Sequence, residues 1–410
     1  MGFSTRFLIV GGGAAGMSAV EGIRMVDAYS PVTVVSGERH PFYYRRNLAW
    51  YIAGRVSLEK LIAKPIGYYE GLGVKVLRGV EALRLDAIGH VVESSLGSIS
   101  YGRLLIASGA EPFKPEVKGL NLDGVYTLRT LDDAEEIRSR LMEASHVLVV
   151  GGGLLGLNLA EAAVANGVDA TILERGDRLS PGLLDEASSS LLAKRLSENG
   201  VRLVFGEKLE ALRGDGRVES AQTSGGHVIP CEMAFIAVGV RPSIRWIRDS
   251  PIETGKGILV DDRLRSSVED VYAAGDVAEA YDPVLGGRAV HTSWSNAEEQ
   301  GRIAGENMAG RSSRYEGSIT ANMESVFSLS FVSIGLANPT GEGYEVYSSA
   351  SEDPPIYRKM VMLGNHLVGA ILVGDMREAE AIRNLIRGKV DLSSYKRSIR
   401  DDTIDFREIA

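Results

Sequence analysis

At 410 residues with 44% hydrophobic composition, the chain is too long for one ordinary core and suits two or three domains. Its net charge of −9 is moderate and its basic residues are dispersed, which argues against a nucleic-acid footprint or a polybasic membrane anchor. The single cysteine, Cys231, excludes an internal disulfide, a thiolate-rich metal site and an iron–sulfur cluster, and no metal site is assigned.

In chain order, the first apolar run ends in glycines before reaching signal-peptide or membrane-helix length, and no later run could span a bilayer; the expected location is the cytoplasm. Phe7–Val10 predicts a strand that runs into Gly11-Gly12-Gly13-Ala14-Ala15-Gly16, after which Ala19, Ile23 and Val26 recur at helical spacing. Gly11 permits the tight turn, Gly13 lets backbone approach a pyrophosphate, Gly16 allows close helix packing, and the helix start offers free N–H groups. A second strand, Val32–Val35, leads to an acid at Glu38. The same device recurs at Val147–Val150, Gly151-Gly152-Gly153-Leu154-Leu155-Gly156 and a following helix, with a strand Ala170–Leu173 ending at Glu174. One glycine loop could be a helix start that binds nothing; two complete strand–turn–helix–strand units are hard to obtain by chance. An acid at the end of the second strand accepts hydrogen bonds from an adenosine ribose and disfavours a phosphate there, so Glu174 argues for NADH, with NADPH less favoured. Arg175 beside it is the kind of group that a 2′-phosphate would need.

Three further segments complete the pattern: Leu104-Leu105-Ile106-Ala107-Ser108-Gly109-Ala110-Glu111-Pro112, Phe235-Ile236-Ala237-Val238-Gly239-Val240-Arg241-Pro242, and Val271-Tyr272-Ala273-Ala274-Gly275-Asp276. With the two glycine loops in this order, the whole chain resembles the FAD-dependent pyridine nucleotide-disulfide oxidoreductase family. The resemblance implies an α/β fold with two Rossmann-like domains, the NAD domain inserted in the FAD domain, and a small α+β C-terminal domain. The implied segments are 1–111 and 241–311 for FAD, 112–240 for NAD and 312–410 for a C-terminal interface domain. Gly310–Gly317 has the Gly/Ser/Arg composition of a linker at the last junction.

The resemblance also distributes the ligands. FAD is expected at Gly11, Gly13, Ala14, Ala15, Gly16, Glu38, Arg45, Val80, Ala107, Ser108, Gly109, Gly275, Asp276, Trp294 and Ala297. NAD is expected at Gly151, Gly153, Leu154, Leu155, Gly156, Glu174 and Gly239. Asp276 presents a carboxylate to the flavin's sugar-alcohol chain, with Gly275 keeping backbone close. Trp294-Ser295-Asn296-Ala297 resembles the start of a helix whose positive dipole end faces the flavin ring. His40-Pro41-Phe42-Tyr43-Tyr44-Arg45-Arg46-Asn47-Leu48 is similar to the corresponding segment of rubredoxin, ferredoxin and nitrite-reductase-type flavin reductases, the subgroup without redox cysteines. Arg45 then approaches the flavin or its phosphates and the tyrosines wall the ring. Many relatives pair a lysine and a glutamate beside the flavin; here those places hold Trp50 and Asn158.

Elsewhere Cys231 reads as a small packing residue. His291 reads as a hydrogen-bonding residue rather than a flavin contact. Tyr357–Leu363 and Leu367–Leu372 predict a hairpin around Gly364-Asn365-His366, and Met376–Arg387 a helix. The charged tail Arg397–Phe406 is expected to need a partner for order, or to lack it.

The activity implied is hydride transfer from NADH to FAD, with electrons passed to a small electron-transfer protein such as rubredoxin or a ferredoxin, a quinone-like compound or oxygen. Two alternatives are a redox-sensing or scaffold flavoprotein like apoptosis-inducing-factor-type relatives, and a subunit of a larger dehydrogenase complex. A homodimer or a complex subunit is the expected assembly.

Overall fold

The computed structural model describes residues 2–351 and 353–409. The chain divides into two compact units, one made of residues 1–46, 58–111 and 240–318, the other of residues 47–57, 112–239 and 319–410.

In the first unit the strands Val74–Arg78, Val32–Ser36, Phe3–Val10 and Gly97–Ile106 run parallel in that order, and Val271–Ala273 joins the far end of the last. The chain leaves Phe3–Val10 toward one edge and returns on its other side as Gly97–Ile106. That reversal opens a crevice at the strand ends, the usual place for a dinucleotide. Residues buried on both faces of the central strand, among them Phe7, Leu8 and Ile9, fit the continuous apolar run of a covered parallel strand. A meander of Ala82–Asp86, Val91–Ser94 and the start of Gly97–Ile106 extends the sheet antiparallel.

The helices Ala14–Val26 and Trp294–Met308 cross at very short range. A Cβ on Gly301 would sit 2.1 Å from the Ala15 carbonyl oxygen, and one on Gly305 2.2 Å from that of Ala19. Glycine is what lets the two backbones touch. The segment Gly310–Gly317 lies beside the boundary at 318 and has no helix or strand from 311 to 320, yet it is anchored: Tyr315 lies in this unit's core, its N–H bonded to the Asp262 carbonyl and its hydroxyl to Asn296 Oδ1 at 2.6 Å. A buried aromatic with a paired hydroxyl overrides the loop-like composition around it.

The second unit contains a parallel sheet in the order Arg202–Phe205, Asp169–Glu174, His146–Val150, Met233–Ile236, Val125–Tyr126. Its strand order also reverses beside the strand that feeds the glycine loop. The short helix Leu48–Ile52, from far earlier in the chain, packs on the helices Leu131–Leu141 and Leu154–Ala165 of this unit. Arg138 lies 4.8 Å from the Tyr51 ring centre and Asn166 donates to the Ile52 carbonyl at 3.1 Å.

The unit's last part is a five-stranded antiparallel sheet, Ala321–Val326, Leu329–Gly335, His366–Val373, Ile356–Leu363 and Tyr344–Ser351 in spatial order, with Ala379–Arg387 packed on it. The predicted hairpin is present, with Leu363 opposite His366 across a Gly364-Asn365 turn. The expectation for the tail is corrected: Phe406 is fully buried, its N–H bonds Glu378 and its ring lies against Arg358. One apolar anchor and an arginine with two carboxylate partners, Glu378 and Asp402, hold a segment that composition alone read as unordered. Among the described residues no helix is long and apolar enough to cross a membrane.

Candidate functional site

Both glycine loops are built by backbone contact that no side chain could enter. In the first, a Cβ on Gly11 would lie 2.0 Å from the Ala107 oxygen and one on Gly16 1.8 Å from the Gly11 oxygen, while a Cβ on Gly13 meets nothing within 4 Å. In the second, Gly151 stands 2.4 Å from the Ala237 oxygen and Gly156 1.9 Å from the Gly151 oxygen by the same measure, and Gly153 is again open. Two glycines of each loop are therefore structural, and the open one leaves room for a ligand above the helix start.

Neither Gly13 nor Gly153 caps its helix with a side chain, and Ser293, before the Trp294 helix, makes no side-chain cap either. By contrast, Leu131–Leu141 and Glu186–Glu198 carry complete capping boxes at Thr130 and Asp185. The first-turn N–H groups at the two glycine loops and at Trp294 have no side-chain cap, the condition for anion binding at a helix start.

In the first unit the predicted flavin ligands come together from distant parts of the chain. Ala15, Gly275 and Ala297 are mutual neighbours, since a Cβ on Gly275 would lie 2.9 Å from Ala15 Cβ and 3.5 Å from Ala297 Cβ. Gly275 takes a positive φ of 79° and its N–H is held by Gln300 Oε1 at 2.8 Å, which aims the following Asp276. Ser108 Oγ donates to the Ser243 carbonyl at 2.8 Å and the Gly109 carbonyl accepts from Ser243 N–H, so these two brace the crossover. Val80 is buried, with its N–H on the Ser36 carbonyl. A small cavity beside the loop is lined by Gly12, Ser36, Tyr69 and Arg78 among others.

Glu38 is engaged at both oxygens, by the Tyr43 hydroxyl and by Arg45 Nη2. Burial would lower the Arg45 pKa, but the charges of Tyr43, Glu38 and Asp276 outweigh it and hold the guanidinium more firmly protonated. Arg45 thus stands as a permanent cation among three oxygen acids. Tyr43 turns inward to Glu38, whereas Phe42 and Tyr44 turn to Trp294. The Phe42 and Trp294 rings stack at 5.5 Å and 9°, Tyr44 lies 5.4 Å from Trp294, and the exposed Arg46 caps both Tyr44 and Trp294 within 6 Å. His291 pairs with Asp282, Nε2 to Oδ2 3.0 Å, both buried. Burial alone would raise Asp282, yet bonds from His291 and from Leu285 and Val284 N–H hold it below the usual carboxylate range.

In the second unit Glu174 is nearly buried, and its two oxygens accept from Gly152 N–H at 2.7 Å and Gly176 N–H at 2.8 Å. The carboxylate is oriented by the loop it serves. Arg175 is exposed. Gly239 has φ 113° and its carbonyl accepts from Phe113 N–H, so it shapes the return strand of the unit.

The Trp50 and Asn158 positions lie on the neighbouring helices Leu48–Ile52 and Leu154–Ala165. Asn158 is 9% exposed; its Nδ2 donates to the Leu154 carbonyl at 3.0 Å, and its Oδ1 is buried with no hydrogen-bond partner among the described residues. A buried acceptor without a donor is rare, and a ligand amide would supply one. Two aspects escape sequence reading. Gln300, whose amide holds Gly275, could have been signalled by its i, i+4 spacing from Asn296 on the buried face of its helix. Tyr43 carried no signal that separated it from Tyr44.

Cys231 is buried within a cluster of Leu148, Ala221 and Ile229, and burial pushes its thiol up to about 12. A thiol held protonated in an apolar core is not a redox centre.

A family model described as pyridine nucleotide-disulphide oxidoreductase matches residues 5–301, and one described as the C-terminal domain of rubredoxin NAD+ reductase matches residues 321–390. The chain is 28% identical to the epsilon subunit of NADH-dependent phenylglyoxylate dehydrogenase from Aromatoleum evansii, over 96% of this chain and 94% of that subunit. It is 29% identical to NADH-rubredoxin oxidoreductase from Clostridium acetobutylicum, over 93% and 94% of the two chains. Among solved structures, a NAD-dependent persulfide reductase from A. fulgidus superposes with a TM-score of 0.89 at 27% identity, over 96% of this chain and 78% of that one.

Proposed function

The chain belongs to the pyridine nucleotide-disulphide oxidoreductase family, and on that premise we propose that it takes hydride from NADH onto FAD and passes electrons to a separate acceptor without a catalytic disulfide. The observation that carries this reading is the pair of phosphate cradles in two separate compact units, each with its own acid. FAD, when bound, supplies the two-electron chemistry and can release electrons in pairs or singly.

The residues present fit both groups. In the first unit the Gly13 helix start and Arg45 face a pyrophosphate, Asp276 accepts from sugar-alcohol hydroxyls, and the Trp294 helix start sets positive potential at the ring. In the second, the Gly153 helix start takes the NAD pyrophosphate, Glu174 takes the adenosine ribose, and the Asn158 carbonyl waits for a donor such as the nicotinamide carboxamide. NADH is preferred over NADPH, because a carboxylate fixed by two backbone N–H groups would meet a 2′-phosphate as a like charge. No side-chain nucleophile takes part: Cys231 is buried and protonated.

The acceptor is a small electron-transfer protein, as the names of the rubredoxin-reducing relatives suggest. A second reading is supported by the likeness to nearly the full length of a dehydrogenase subunit: this chain exchanges electrons between NAD and a partner chain within a complex. Anaerobic stopped-flow with NADH and NADPH, followed by a panel of rubredoxin, ferredoxin, quinone and oxygen, tests the proposal. Fast flavin bleaching by NADH with multiple turnovers supports it. Bleaching too slow for turnover sinks it, and turnover only with a co-purified partner selects the second reading.

A further inference from the structure

Glu161 belongs to neither cradle, yet three separate stretches of the second unit meet on it. It lies on the Leu154–Ala165 helix, one turn beyond Asn158, with a side chain 2% exposed. Its Oε1 accepts from Arg55 Nη2 at 2.7 Å and from Phe327 N–H at 2.6 Å. Arg55 closes the helix that carries Trp50, its own N–H bonding the Trp50 carbonyl at 2.9 Å. Phe327 opens the tight turn between Ala321–Val326 and Leu329–Gly335, where Phe327 and Ser328 take φ of 48° and 63°. A bulky residue in the left-handed region is strained, and such strain persists only where the surroundings over-determine it. The Phe327 carbonyl is approached from the other side by Arg195 Nη1 at 3.5 Å.

A buried carboxylate costs desolvation and a strained turn costs more, so their joint presence points to a geometry worth holding. The place of the joint says which geometry. With Glu174 assigned to the adenosine ribose on one side of His146–Val150, the other half of a dinucleotide would leave the glycine loop toward the opposite side. The helix Leu131–Leu141 links Val125–Tyr126 to His146–Val150 and so belongs to that opposite half. The Trp50 helix rests on it and on the helix that bears Asn158, whose carbonyl lacks a donor.

We propose that Glu161 is a positioning residue for the nicotinamide end of the dinucleotide: it pins the Trp50 helix and the Phe327 turn to the helix that opens on the NAD loop, and leaves the adenosine end to Glu174. The inference rests on the reading of this unit as the NADH site. Its consequence is a split. Loosening the joint disturbs the nicotinamide half and spares the ADP-ribose half.

The test uses the full-length, FAD-loaded protein. In Glu161→Gln the limiting rate of flavin reduction at saturating NADH should fall about tenfold or more. By calorimetry on the oxidised protein, NAD+ affinity should fall about fivefold while ADP-ribose affinity stays within about twofold of wild type. Arg55→Met, altered at the half-exposed end of the same pair, should reproduce the split even where the glutamine variant fails to fold. An unchanged limiting rate, or NAD+ and ADP-ribose affinities falling in step, overturns the positioning role. A wild-type protein that binds neither nucleotide overturns the NADH reading itself, and this inference with it.

Discussion

Glu174 and Cys231 are both buried, one held by backbone N–H groups and the other packed among apolar neighbours. The Glu174 carboxylate is fixed by Gly152 and Gly176 N–H groups, so its remaining lone pairs are aimed before a ligand arrives. Bonds to a charged acceptor contribute about 1.5–3 kcal/mol each. Glu174→Ala should therefore raise the KM for NADH by at least about tenfold while changing that for NADPH much less, and steady-state kinetics with the two nucleotides would show whether the ratio moves. Burial and the nearby Glu232 charge both disfavour a thiolate at Cys231, and a thiol near 12 is protonated throughout the working pH range. Native protein at pH 8 should resist iodoacetamide and denatured protein should take up one equivalent, read by mass spectrometry. Activity lost in step with native alkylation would contradict the reading that no side-chain nucleophile takes part.

The helix pair Ala14–Val26 and Trp294–Met308 carries the first cradle on one member and Ala297 on the other. Its spacing is set by Gly301 and Gly305 on one helix and by Gly22 on the other, whose Cβ would fall 2.3 Å from the Arg302 oxygen. Backbone on both sides leaves little to yield. Gly305→Ala should cost about 1–3 kcal/mol, the usual range for overpacking. A lower melting temperature should be joined by poorer FAD retention, seen in the ratio of flavin to protein absorbance. A variant as stable as wild type would mean that the helices can part without cost.

Within the second unit, Asp185 joins two elements far apart in sequence. It caps the Glu186–Glu198 helix and accepts from the Tyr357 hydroxyl at 2.6 Å, with Lys359 Nζ 3.2 Å away on the C-terminal sheet. Burial would raise its pKa, but bonds from Ser188 and Tyr357 and the charge of Lys359 hold it below the ordinary carboxylate value. A depressed folded pKa contributes stability that is fully present above the unfolded value and is lost as pH falls through the folded one. Asp185→Asn should lower the melting temperature at pH 7, and the difference from wild type should shrink as pH drops below about 4. A constant difference across pH would assign the loss to packing instead of charge.

The glycine loops, the acids at Glu38 and Glu174 and the alternation of strand and helix around them were legible in the sequence, because each is a local device whose spacing is imposed by backbone geometry within a few residues. The hairpin at Gly364-Asn365 was legible for the same reason. The junction at Gly310–Gly317 was legible, but the anchoring of Tyr315 and the order of the tail were not, because Tyr315 and Phe406 are held by partners distant in sequence that composition does not reveal. The engagement of Glu38 by Tyr43 and Arg45, the orphan carbonyl of Asn158 and the joint at Glu161 likewise depend on which segments meet. The two glycine loops at helix starts and the lack of a redox cysteine pair are local matters, since a turn needs its glycine and a disulfide needs its two thiols. That residues 47–57 belong to the second unit and bring Trp50 beside the Asn158 helix follows from packing between helices, which leaves no shared local signal.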